Sequence, residues 1–187
     1  MRIGVLSLQG DYQKHIDILK SLNIQTIKVR YKEDLEDIDA LIIPGGESST
    51  LSKLIKKESL YSPLKSFISD YPVYGSCAGL ILLSKNIEND DRIKSFNALD
   101  ISLIRNGWGR QINSFSKDVT IETFKNDYRA IFIRAPKILK CGRDIRILSI
   151  LDNSPVMIQQ NKILGTTFHP ELTNDTRIHQ YFVNMVN

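Results

Sequence analysis

The chain has 187 residues, 42% apolar and 25% charged, with 25 basic against 21 acidic side chains and a net charge of +4. This balance suits one globular domain, residues 1–187, and excludes a chain too polar to bury a core. The charges form no basic arm of the kind that binds nucleic acid, no apolar run is long enough to span a membrane, and Ile3–Leu8 is too short for a leader.

Arg2 to Leu8 is almost continuously apolar, as in a strand buried on both faces. Gln9-Gly10 turns into a helix with Ile16, Leu19 and Leu22 at helical spacing. Thr26–Val29 and Ala40–Ile43 read as further strands, the latter stopped by Pro44-Gly45-Gly46. Ser48-Ser49-Thr50 is expected to cap a helix carrying Leu51, Leu54 and Ile55, and a helix follows over about Pro63–Ser69. A strand at Tyr71–Tyr74 leads through Gly75-Ser76-Cys77-Ala78-Gly79 into an apolar helical run from Leu80. This order predicts an α/β fold: a doubly wound, mostly parallel sheet with helices on both faces.

Beyond Asn89 the segments shorten. Strands are expected at Leu99–Ile104, Val119–Phe124, Ala130–Ile133, Ile145–Leu151, Val156–Gln159 and Ile163–Thr167. Turn residues such as Asn106-Gly107, Asp152-Asn153 and Asn161-Lys162 separate them, which predicts an antiparallel edge extension. A closing helix over Asn174–Val186 puts Ile178, Phe182 and Met185 on one stripe.

The chemistry centres on Cys77. A nucleophile between glycines, after a strand and before a helix, has the pattern of a nucleophile elbow, which places the side chain at a helix N-terminus where the dipole favours negative charge. A cysteine hydrolase needs a base and a group to orient it. His169, in Phe168-His169-Pro170-Glu171, is the candidate base. Pro170 disfavours helix at His169, so the segment is expected to be extended, with Glu171 on the same side and able to orient the ring. The backbone N–H of Ala78 and the Gly45-Gly46 turn are candidate oxyanion donors. His15 and His179 are expected as surface or half-buried helix residues, and Cys141 as a plain thiol. Two cysteines offer no disulfide framework or metal spacing, so neither metal nor cofactor is expected, and a reduced cytoplasm is the expected setting.

With these elements in place the chain resembles the class I, triad-type glutamine amidotransferases, and more narrowly the glutaminase subunits of pyridoxal 5'-phosphate synthase. The resemblance is carried by Leu8-Gln9-Gly10, Pro44–Thr50, Gly75–Leu80, Arg105-Asn106 with Gly109-Arg110-Gln111, Phe132–Pro136 and Phe168–Thr173. It implies hydrolysis of L-glutamine to glutamate and ammonia, with Cys77 as nucleophile, His169 as acid/base and Glu171 as its orienter. It also implies glutamine binding by Gly46, Glu47, Ser48, Arg105, Ile133 and Arg134. A substrate carboxylate calls for an arginine, and Arg105 and Arg134 both remain open for that role. The implied partner is the synthase subunit that consumes the ammonia, with Gln9 a candidate contact. Trp108, Gly107, Asp11 and Tyr12 depart from the residues common in the family, which bears on loop closure and partner contact. The alternatives are a glutaminase serving another ammonia acceptor, a stand-alone cysteine hydrolase of the same fold and a non-catalytic subunit that keeps it.

Overall fold

A computed structural model of the chain describes residues 1–108 and 114–186. Gly109, Arg110 and Gln111, which contribute to the resemblance, lie outside the described residues. The first half alternates strands and helices: β1 (Arg2–Leu6), α1 (Tyr12–Ser21), β2 (Gln25–Val29), β3 (Ala40–Ile43), α2 (Ser48–Lys57), α3 (Tyr61–Asp70), β4 (Val73–Ser76) and α4 (Ala78–Leu83). The second half is strand-rich: β5 (Ser84–Ile87), β6 (Leu99–Ile104), β7 (Ser114–Val119), β8 (Tyr128–Ile133), β9 (Lys137–Cys141), β10 (Arg146–Leu151), β11 (Ser154–Gln160) and β12 (Ile163–Thr166). Helix α5 (Arg177–Val186) closes the chain.

The central sheet has seven strands in the order β10-β11-β12-β4-β3-β1-β2. The pairs from β12 to β2 are parallel, whereas β10 and β11 extend the sheet antiparallel. This is the doubly wound architecture that the apolar runs predict. Alternation along each strand divides the interior into two cores. Leu41, Ile43 and Val73 face α2, α3 and α4 through Leu51, Ile55, Leu64 and Leu80. Ala40, Ile42 and Tyr74 face α1 and α5 through Ile16, Leu19, Ile178 and Phe182. Each fully buried aliphatic or aromatic side chain contributes on the order of 1.5–3 kcal/mol relative to exposure, so these two layers set the helix positions. Helices α1 and α5, from opposite ends of the chain, therefore share one face.

Strands β5, β6 and β9 form a small sheet, and β7 pairs antiparallel with β8. The polar segments of β5 and β7 carry little apolar signal, which is why they escape sequence reading. The expected strand at Val119–Phe124 is instead the end of β7 followed by a turn in which the Phe124 N–H donates to Ile121 O at 2.9 Å. The order β2-β1-β3 reverses direction between β1 and β3, and such a switch point opens a crevice at the carboxyl ends of the strands.

Candidate active site

The chain leaves β4 at Cys77 with φ 45° and ψ −98°, a conformation that costs a non-glycine residue on the order of 1–3 kcal/mol. Its surroundings hold it there. The Cys77 N–H donates to Thr166 O on β12 at 2.9 Å, and Cys77 O accepts from the Ile81 N–H at 3.1 Å. Glycine at 79 is a steric requirement, because a Cβ there would lie 2.0 Å from Ile43 O. The sharp strand-to-helix turn leaves the Ala78 N–H in the first turn of α4, where backbone donors lack intrahelical partners. The Cys77 thiol donates to Ile133 O at 3.9 Å and faces a cleft of about 310 Å³.

His169 lines the same cleft and follows β12, its N–H donating to Ile131 O at 2.8 Å. The segment after it is not extended. Pro170–Leu172 forms one 3-10 turn, with Pro170 at its start. Proline restrains His169 to a non-helical φ of −106° and ψ of 85°, but its own φ suits the first position of a helical turn, so the chain bends immediately afterwards. The turn swings Glu171 under the ring, and Nδ1 of His169 meets Glu171 Oε1 at 2.7 Å. Gly45 packs against that contact: a Cβ there would lie 2.4 Å from His169 Cε1. Burial disfavours a charge on His169, but interactions with Cys77 and Glu171 outweigh it and raise its pKa to about 10. Burial likewise opposes charge on Glu171, yet His15 and His169 pull its pKa down to about 2.

His15 and His179 are not surface residues. Both are fully buried, because α1 and α5 lie side by side on one face of the sheet. Their rings meet at 2.9 Å, and His15 Nε2 stands 3.4 Å from Glu171 Oε2. No local signal marks this: the two histidines are 164 residues apart, and each sits in an ordinary amphipathic helix.

The wall opposite His169 is built on α2. The helix is capped by Glu47, not by the Ser48-Ser49-Thr50 run. Its carboxylate accepts from the N–H groups of Ser49 and Thr50 at 3.1 and 2.6 Å. Three adjacent hydroxyl residues look like a cap, but the longer glutamate precedes them and reaches both donors. Burial raises the Glu47 pKa, and bonds from Thr50 and Ser49 together with the Arg105 charge reverse this, leaving it at about 2. Arg105 donates to Glu47 Oε1 at 2.9 Å and to Ser49 Oγ at 3.0 Å, and also pairs with Asp90. Asp90 in turn takes a two-pronged contact from Arg92, whose hydrogen bond leads the causes holding the carboxyl below its usual range. Asp90, in a polar run of the sequence, is a site neighbour that no motif announces.

The cleft thus collects Gly46, Glu47, Ser48, Cys77, Arg105, Ile133, Arg134 and His169, with Gln9 at its rim. Arg134 sits at a φ of 42° and, among the described residues, has no hydrogen bond to an acidic side chain. The Gln9 side-chain Oε1 accepts from the Glu47 N–H at 3.1 Å, which ties the loop after β1 to the glycine turn. Trp108 packs on Phe115 and Phe132, and its indole N–H donates to Pro136 O at 3.1 Å. No cluster with metal-holding geometry occurs among the described residues. A cysteine thiol, a carboxylate-backed imidazole and polar groups of both signs thus share one cleft, a set of groups that acyl transfer can use.

Comparison with known proteins agrees with that chemistry. Residues 5–187 match the model of the SNO glutamine amidotransferase family. The chain is 47% identical to pyridoxal 5'-phosphate synthase subunit PdxT of Fervidobacterium nodosum over 187 residues, covering 100% of this chain and 97% of the relative. It is 44% identical to the subunit of the same name from Thermoplasma volcanium, covering 99% and 94%. A crystal structure described as a glutamine amidotransferase superposes with a TM-score of 0.93 at 38% identity, over 98% of each chain. The chain belongs to the SNO glutamine amidotransferase family.

Proposed function

We propose that this chain, as a single glutaminase domain over residues 1–187, hydrolyses L-glutamine and delivers the ammonia to a pyridoxal 5'-phosphate synthase subunit. The observation that carries the reading is the cleft that holds Cys77 and His169 together, with Glu171 2.7 Å behind the ring. In this reading the Cys77 thiolate attacks the side-chain amide carbon of glutamine. The C–N bond breaks as the His169 imidazolium gives its proton to the departing nitrogen, releasing ammonia and leaving a thioester. His169 then takes a proton from water as the hydroxyl adds to the thioester, and glutamate leaves with restoration of the thiolate. Glu171 holds the imidazole in the orientation this requires. The N–H groups of Ala78 and the Gly45-Gly46 turn receive the oxyanion.

The α-carboxylate of glutamine is assigned to Arg134. Arg105 already carries Glu47 and Asp90, so a substrate carboxylate there would compete with two anions. Gly46, Glu47, Ser48 and Ile133 shape the rest of the binding site, with polar acceptors for the substrate ammonium. The synthase partner follows from what the relatives are named, and a cytoplasmic setting accords with it. No helix among the described residues is long and apolar enough to cross a membrane. Glutamate release measured with and without the cognate synthase subunit tests the proposal. Cys77→Ala should abolish it while the fold persists; undiminished release by that variant would refute the mechanism.

A further inference from the structure

Glu171 has two oxygens, and the His169 ring occupies only one of them. Oε2 is buried and makes no well-formed hydrogen bond; with His179 Nδ1 it is one of two such orphaned side-chain atoms among the described residues. Leaving a buried carboxylate oxygen unsupported is costly, and His15 Nε2, itself buried, stands 3.4 Å from it. The same nitrogen lies 3.3 Å from Ser76 Oγ, the residue before Cys77. On its other side, His15 Nδ1 meets His179 Nε2 at 2.9 Å. The two orphaned atoms are thus the ends of one buried chain: Glu171, His15, His179.

The protons on that chain can be assigned by electrostatics. A carboxylate only accepts, so a proton on the His15 nitrogen 3.4 Å from Oε2 favours that approach where a bare lone pair would repel it, and the same N–H has Ser76 Oγ within hydrogen-bond distance as an acceptor. His15 Nδ1 is then an acceptor, and the bond between the rings must be donated by His179 Nε2–H. His179 Nδ1 is left as a bare lone pair at the apolar end. Burial, the leading influence, keeps both rings neutral: the His15 pKa is lowered, and that of His179 falls to about 3. The groups facing His15 are Glu171, His169, Asp11, His179, Ser76 and the edge of Tyr74.

We propose that His15 is a positioning residue for glutamine hydrolysis: its Nε2–H, kept in that tautomer by His179, steadies the second oxygen of Glu171 and so the plane in which Glu171 holds His169. The inference rests on the Cys77–His169–Glu171 reading. Neither His15 nor His179 touches the cleft that binds substrate, so the effect falls on turnover and not on binding.

The test uses the full chain with its cognate synthase subunit. His15→Leu removes the donor, and kcat should fall about 10- to 100-fold with KM changed less than about twofold. His15→Gln, whose terminal amide places an N–H near the lost Nε2–H, should recover to within about threefold of the parent. Nitrogen-15 imidazole spectra of the unsubstituted chain should show His15 protonated at Nε2 alone. They should also show a His169 Nδ1 proton shifted far downfield, which is broadened or lost in His15→Leu. The spectra of the unsubstituted chain decide the tautomer even if His15→Leu does not fold. Parent-like turnover in a folded His15→Leu, failure of His15→Gln to exceed His15→Leu, or a His15 proton on Nδ1 would overturn the proposal. Cys77→Ala assayed in parallel separates the two ideas: if it is inactive while His15→Leu is unaffected, the triad stands and the positioning role falls. If Cys77→Ala stays active, the triad reading itself fails.

Discussion

Gly45→Ala puts a single methyl group against the proposed acid/base. The backbone at Gly45 lies outside the left-handed region, so alanine brings no conformational strain and the effect is purely steric. The new Cβ would lie 2.4 Å from His169 Cε1, 2.7 Å from Nδ1 and 3.2 Å from Glu171 Oε1. Ordinary contact begins near 3.4 Å, so the ring or the glycine turn must retreat by about 1 Å. The ring is buried and held by Glu171, and Gly46 on the same turn is a proposed oxyanion donor. Displacing either misaligns the reaction. A misplacement of about 1 Å costs on the order of 100-fold in turnover, close to 3 kcal/mol of barrier. Overpacking of this size costs about 1–3 kcal/mol of stability as well. Steady-state glutamate release with synthase present gives kcat and KM, and urea unfolding gives the stability. The expected outcome is a large fall in kcat with a small change in KM, since Arg134 is untouched. A folded Gly45→Ala whose turnover stays within about twofold of the parent would refute the reasoning, because the ring would not then be held against this turn.

The remaining expectations concern charge and capping. Glu171 has a folded-state pKa of about 2 against an ordinary value of 4.5, so its contribution is complete above the higher value. It is lost as pH falls through the lower one, and amounts to up to about 3 kcal/mol. Urea midpoints followed from pH 5 downward should therefore drop more steeply for the parent than for Glu171→Gln, and equal slopes would count against the depressed pKa. Arg134→Ala removes a charge-assisted contact of about 1.5–3 kcal/mol, so KM for glutamine should rise about 10- to 100-fold with kcat little changed. An unchanged KM would return the carboxylate to Arg105. Glu47→Ala deletes the cap of α2 and should lower stability by about 1–2 kcal/mol in urea unfolding. A loss that small substitutions in Ser48 reproduce would instead restore the hydroxyl run as the cap.

At Pro170 and at the start of α2, two local rules compete and the neighbours decide between them. Pro170 both restrains the residue before it and favours the start of a helical turn. The first rule predicts an extended His169-Pro170-Glu171; the structure obeys both, and the carboxylate arrives beneath the ring by a bend. Ser48, Ser49 and Thr50 satisfy the usual preference for short polar caps, but Glu47 stands at the position where the helix begins and takes both N–H groups. Strand β7 carries Ser114, Ser116, Lys117 and Asp118, so only its pairing with β8 makes it a strand.

By itself the sequence determined the parallel α/β layering, because strands buried on both faces must be continuously apolar and helices that cover them must carry a stripe. It also determined the sharp turn at Cys77, since a strand, two flanking glycines and an apolar helical run mark an elbow there, and it placed His169 and Glu171 within reach of each other because they are two residues apart. Only the tertiary structure decided what lies behind Glu171. His15 and His179 belong to the first and last helices, and each alone looks like a polar residue on an amphipathic surface. They are buried because both helices pack on the same face of one sheet, and burial in turn forces their nitrogens to find partners in one another and in the carboxylate. Pairing across that distance is a property of how the layers stack, which no local pattern encodes.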